Sequence, residues 1–182
     1  MKTLVHNPQS LYRQTLGEAF EGMPPVLKRF HEQPSEAMAC GSFRVIRGRG
    51  WIRWALATIL HLPPPGEQVP VVLQVRMQGG VECWTRKFDT LHLVTRQWLQ
   101  DGLLMEAAGP MRFGFRMTAD ATGMRFEFAR CWFAGIPLPF ALSPHVNATV
   151  SEYEEGWWLQ VRIDFPLLGM LTRYEGKVVS QC

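Results

Sequence analysis

From Val69 onward the chain repeats with a period of two. Val71, Leu73, Val75 and Met77 alternate with Val72, Gln74 and Arg76, and Met111, Phe113, Phe115 and Met117 alternate with Arg112, Gly114, Arg116 and Thr118. That period puts successive side chains on opposite faces of a strand. Gln78-Gly79-Gly80, Asp101-Gly102, Gly109-Pro110, Asp120–Gly123 and Glu154-Glu155-Gly156 punctuate the pattern with residues suited to tight reversals. Eight to ten antiparallel strands follow, and the absence of β-helix-β alternation after residue 68 excludes a doubly wound sheet. A meander this long must close or be covered, because open edges pair with other chains. The expected fold is mainly β (α+β): an antiparallel meander forming a barrel or half-barrel, with N-terminal helices and one apolar helix covering or plugging it. Residues 1–182 form one domain.

Helical spacing is confined to the first third. Leu11, Tyr12, Leu16 and Phe20 follow the Asn7-Pro8 start signal and end at Gly22 and Pro24-Pro25. A second short helix uses Val26, Leu27 and Phe30, with His31 placed to interact with its negative end. Ser42–Arg47 reads as the first strand. Trp51–Leu62 is apolar nearly all round and is closed by Pro63-Pro64-Pro65-Gly66. A helix of that kind is buried or faces lipid. Twelve helical residues rise only ~18 Å, short of a ~30 Å bilayer core. Core burial is the expectation. Shallow contact with an anionic lipid surface by a gate helix carrying Arg49, Trp51, Arg53 and Trp54 is the alternative, with Arg44 and Arg47 nearby.

Composition narrows the function classes. With 47% hydrophobic residues and a net charge of +3 over 182 residues, disorder is excluded. Fifteen of the 19 basic residues are Arg, but they form no surface broad enough for nucleic acid. Cys40, Cys83, Cys131 and Cys182 are too far apart for a zinc knuckle, and the five His sit in five different segments, so no metal is expected. Without a secretory leader pattern, reduced thiols in the cytoplasm are expected. Dinucleotide, P-loop, zincin and nucleophile-elbow motifs are missing, and no cofactor is expected. Glu106 and Asp164 are candidate acids, but spacing assigns neither a partner.

Charged residues on otherwise apolar strand faces are the informative feature. Glu82, Trp84, Arg86 and Phe88 share one face; Met124, Phe126, Phe128, Arg130 and Trp132 share another. If both point inward, the interior holds Glu82, Arg86 and Arg130 among aromatics. Glu82 then pairs with Arg86 and leaves Arg130 for an anionic head, because unpaired buried charge is costly. With Trp98 these residues form the candidate binding set. In the competing reading, Glu82 and Arg86 pair on a solvent face and Arg130 lies at a rim. Trp157 and Trp158 necessarily point to opposite faces.

The chain also resembles a bacterial family, the domain of unknown function numbered 4166. Leu11-Tyr12, Leu16-Gly17, Phe20, Pro24-Pro25, His31, Arg47-Gly48, Leu62-Pro63 and Val69-Pro70 carry the resemblance. It continues through Glu82, Trp84, Arg86, Phe88, Phe113, Phe115, Gly135–Pro139, Pro166-Leu167, Tyr174 and Gly176, spanning about residues 10–177. The resemblance implies no catalytic residues. It does imply a possible oxidoreductase partner, since related domains follow NAD(P)-binding domains in longer chains. The expected function is non-catalytic binding of a hydrophobic or amphipathic, lipid-like small molecule. An accessory domain for an oxidoreductase is the alternative, and an enzyme using a cavity carboxylate is third.

Overall fold

The structure, a computed structural model, describes residues 10–33, 36–89 and 91–180. Asn7-Pro8 and Cys182 lie outside the described residues. Two short helices, α1 (Leu11–Leu16) and α2 (Pro25–His31), flank a single 3-10 turn at Gly17–Phe20. Strand β1 (Glu36–Arg47) leads to helix α3 (Trp51–Ile59). There follow β2 (Gly66–Gln78), β3 (Val81–Phe88), β4 (Leu91–Gln100), β5 (Leu103–Ala108), β6 (Met111–Asp120) and β7 (Gly123–Phe133). The chain ends with the two-residue β8 (Ile136–Pro137), then β9 (His145–Tyr153), β10 (Gly156–Phe165) and β11 (Gly169–Val179).

Every strand pairs antiparallel with its neighbour, and β11 returns to β1. β6 pairs with β7, and β7 with β9, so ten strands close into a barrel while β8 extends β7. This is the closed form of the expected meander. β1 begins at Glu36, earlier than the alternation of Ser42–Arg47 indicates, because its first half pairs with β2 through small and mixed residues such as Ala37 and Ala39.

The two ends of the barrel differ. Tyr12, Phe20, Leu27 and Phe30 are buried and pack with Trp84, Val150 and Trp157 in the main core. α1 and α2 therefore plug the end where β2 finishes and β3 begins. Phe30 lies 4.9 Å from Trp157, ring centre to ring centre, and Tyr12 stacks on His31 at 3.7 Å. At the other end, the mouth, α3 packs on β1 and β11 through Leu56, Ala57 and Leu60, against Val161, Ile163 and Leu171. Gly48 allows this approach, since a Cβ there would run into the Met170 carbonyl oxygen.

α3 covers the mouth but is not core. The stripe Arg53, Leu56, Ala57 and Leu60 faces the barrel and Ile59 borders the cavity, while Trp51 remains 79% and Trp54 61% exposed. The all-round apolar pattern of Trp51–Leu62 fits burial, but α3 lies across the rim on β1 and β11, so one stripe packs on the barrel and its other apolar faces stay exposed. Among the described residues, no helix is long and apolar enough to cross a membrane.

The plug buries two titratable groups of opposite behaviour. His31 is not a cation at a helix end: burial pushes it down from 6.5 to about 3, leaving a neutral ring against Tyr12. Glu82 is pushed up from 4.5 to about 7 by burial, opposed by hydrogen bonds from Trp84 Nε1 (3.0 Å) and the Leu11 backbone N–H. The Glu82 carboxyl thereby occupies an N–H at the start of α1 that has no partner within the helix. Glu82 favours folding below about 4.5 and loses that contribution as pH rises through about 7. His31 favours folding above about 6.5 and loses that contribution as pH falls through about 3. Each amounts to roughly 3–5 kcal/mol. Between about 4.5 and 6.5 the two slopes cancel. Urea unfolding across pH should therefore show declining stability with rising pH in His31→Phe and increasing stability in Glu82→Gln. Parallel profiles in wild type and both variants would refute this assignment.

Candidate functional site

A cavity of about 440 Å³ lies between the plug and the mouth. Tyr12, His31, Trp84 and Trp157 form its floor, and aromatic and aliphatic side chains from the strands form its walls. Leu60–Pro63, Gly109-Pro110, Phe133 and Pro144 border it at the mouth. The volume falls within the ~300–1,000 Å³ usual for small-molecule sites.

One polar cluster interrupts the apolar wall. Alternation on β3 turns Trp84 and Arg86 inward; on β4 it turns Thr95 and Gln97 inward, and on β5 Glu106. The Arg86 guanidinium pairs with Glu106 at 3.0 Å and donates to Thr95 Oγ1 at 2.7 Å. Thr95 in turn donates to Glu106 Oε1 at 2.6 Å. Arg86 and Glu106 each retain 17% side-chain exposure, and both line the cavity. Beside them, the Tyr12 hydroxyl donates to Gln97 Oε1 at 3.0 Å.

The electrostatics follow from this packing. Burial is the largest influence and works against the Arg86 charge, but Glu106, Tyr174 and Tyr12 together outweigh it, so the guanidinium is held more firmly protonated than usual. Burial pushes the Tyr174 hydroxyl up to about 12, with Arg86 lowering it and Glu106 raising it. Burial also raises Tyr12, reinforced by Glu82 and Glu106. Both phenols remain protonated near neutrality and can donate hydrogen bonds.

The expected binding residues separate into two groups. Trp84 and Arg86 line the cavity, and Glu82 is buried beside it under α1. Glu82 does not pair with Arg86; Glu106, on β5, takes that place. Arg130 and Trp132 are on the outer wall. Gly114 pairs with Arg130 but Phe115 with Phe128, so Ala129 is an extra residue that bulges β7. A bulge shifts the alternation by one. Met124, Phe126 and Phe128 therefore face inward, but beyond the bulge Cys131 and Phe133 do, not Arg130 and Trp132. Trp98 also faces outward, being one residue past inward-facing Gln97; the Arg112 guanidinium lies 5.5 Å from its ring centre. Trp157 is in the core, whereas Trp158 stands on the outer wall near Tyr153. Arg49, Trp51, Arg53 and Trp54 all lie at the mouth, where Arg53 donates to the Leu168 and Arg49 carbonyls. Thr95 and Gln97 are not among the residues that the sequence singles out, and Tyr174 enters there only through the family resemblance. The signal available for Thr95 and Gln97 was their shared parity on β4.

The other acid candidate, Asp164, is engaged by Arg162 at 2.7 Å and does not line the cavity. Cys83 and Cys131 are free thiols. Among the described residues, no cluster of three or more His, Cys, Asp or Glu could hold a metal ion.

The pairing of Arg86 with Glu106 has a testable energetic consequence. Removing one partner leaves a largely buried charge uncompensated, costing about 3–5 kcal/mol, whereas replacing both with apolar residues costs far less. In urea denaturation, Arg86→Met and Glu106→Leu should each destabilise more than the double variant does. Additive losses would show that the two charges are not coupled.

No curated protein and no solved structure matches the chain. The family described as Domain of unknown function (DUF4166) matches residues 23–178, from the plug to the end of the last strand. The chain belongs to this family.

Proposed function

We propose that the barrel binds an amphipathic, largely apolar small molecule in its interior and catalyses no reaction on it. The observation that supports this reading is the cavity itself: about 440 Å³ with apolar walls and a single polar cluster around Arg86, Thr95 and Glu106. Apolar surface left unfilled in a core forfeits packing, so a cavity this large represents stability not used by the fold. A ligand regains those contacts. The Arg86–Glu106 pair is neutral overall, so it suits a hydroxyl or carbonyl head better than a free anion, which would have to displace Glu106 from Arg86. Tyr174 offers a further hydrogen-bonding group beside the cluster. The carboxylates considered for acid/base work are all engaged: Glu106 with Arg86, Asp164 with Arg162, and Glu82 beneath the plug.

Titration with the neutral fluorescent probe N-phenyl-1-naphthylamine tests this. Wild type should bind it saturably with one-to-one stoichiometry. Ala148 lines the cavity opposite the polar cluster's strands, and Ala148→Trp fills the space. That variant should weaken binding at least ~10-fold while preserving cooperative unfolding. Absence of saturable binding, or unchanged binding in folded Ala148→Trp, would refute the proposal.

A further inference from the structure

The mouth combines exposed apolar side chains with positive charge. Of the fifteen large apolar side chains that stand exposed among the described residues, nine belong to α3, to residues 133–142 or to Leu167. Leu167 is 71% exposed and Phe140 66%, joining Trp51 and Trp54 of α3. These segments border one opening, because Ile59–Pro63, Phe133 and Pro144 line the same cavity. Residues 47–67, 87–89, 91–93, 107–112, 130–146 and 162–170 carry seven Arg or Lys against three Asp or Glu. Residues 10–33, 36–38, 76–82, 97–103, 117–125, 151–158 and 175–180, at the plugged end, carry six against eleven. The molecule is therefore polarised along the barrel axis, with the apolar rim at its positive end.

We infer that the mouth docks peripherally on an anionic phospholipid surface, seating Trp51, Trp54, Phe140 and Leu167 at the headgroup boundary. Three observations select this occupant. The apolar residues form a discontinuous arc over three segments, α3, residues 133–142 and the turn that holds Leu167, which suits a deformable planar surface better than it suits a peptide. Trp51 and Trp54 lie three residues apart on one short helix and share a side of it, and Trp favours the membrane–water interface. The surrounding charge is complementary to anionic headgroups, whereas the opposite end would be repelled, fixing orientation. Docking of this kind places the cavity opening against the bilayer. It does not depend on what occupies the cavity.

Co-sedimentation with phosphatidylcholine vesicles, with and without phosphatidylglycerol, tests the docking surface. Binding should require phosphatidylglycerol, weaken with added salt, and fall at least ~10-fold in the double variant Trp51→Ser, Trp54→Ser. Both side chains are exposed, so the variant should unfold like wild type. Trp98→Phe, on the outer wall, and the filled-cavity variant Ala148→Trp should keep wild-type vesicle binding. Four results would overturn the inference: no binding to anionic vesicles, equal binding by the double variant, loss of vesicle binding in folded Ala148→Trp, or a mouth that retains a protein partner but not anionic vesicles. Because Ala148→Trp separates the readouts, a failure of probe binding remains distinguishable from a failure of docking.

Discussion

Closing ten strands into one ring encloses more volume than inward side chains can fill, and the rest of the molecule answers to that excess. Barrel width grows with strand number, and about eight strands already give an interior that side chains just fill or that holds one small ligand. Here the excess is divided. α1, α2 and the turn between them fill one end with Phe20, Leu27 and Phe30, and the remaining space persists as the cavity. The closure that removes the sheet edges thus creates both the plug and the void.

Polar groups anchor the plug in addition to its apolar packing. Glu82 reaches from β3 to the start of α1, and Tyr12 reaches back from α1 to Gln97 on β4. These links are reciprocal, so α1 cannot shift without leaving a buried donor or acceptor unpaired. The floor of the cavity is therefore fixed, and any opening for a ligand must be at the mouth. There α3 is secured by one narrow stripe that includes Arg53, and its outer side stays exposed.

The sequence made the strand alternation and most hairpin turns legible, because each depends on local period or turn chemistry. Trp84 and Arg86 could be placed on one shared face of β3 on that basis, although local period left open whether that face points inward. Arg130 and Trp132 could not, since one extra residue at Ala129 reverses the face of the rest of β7 and leaves no mark in the hydrophobic pattern. The partner of Arg86 was hidden for a different reason. Glu82, four residues away, satisfies charge bookkeeping on one strand, but Glu106 arrives two strands later through registers that only the folded sheet defines. α3 shows a third limit: an all-apolar helix does not reveal whether its surplus apolar faces meet protein or remain open.

The polar cluster on the wall is best understood as a compromise imposed by that enclosed void. A lone guanidinium facing an apolar cavity would carry a large desolvation penalty, and a wall without polar groups could not orient an amphipathic ligand. Coupling Arg86 to Glu106 through Thr95 keeps donors and acceptors available while cancelling net charge. Strongly charged heads then compete with an existing ion pair, whereas neutral polar heads add hydrogen bonds to it. On the proposed function, the mouth and the wall impose different requirements. The positive, aromatic rim favours an anionic surface outside, while the neutral cluster favours an uncharged polar head inside. The protein would therefore distinguish the membrane on which it docks from the molecule that it encloses.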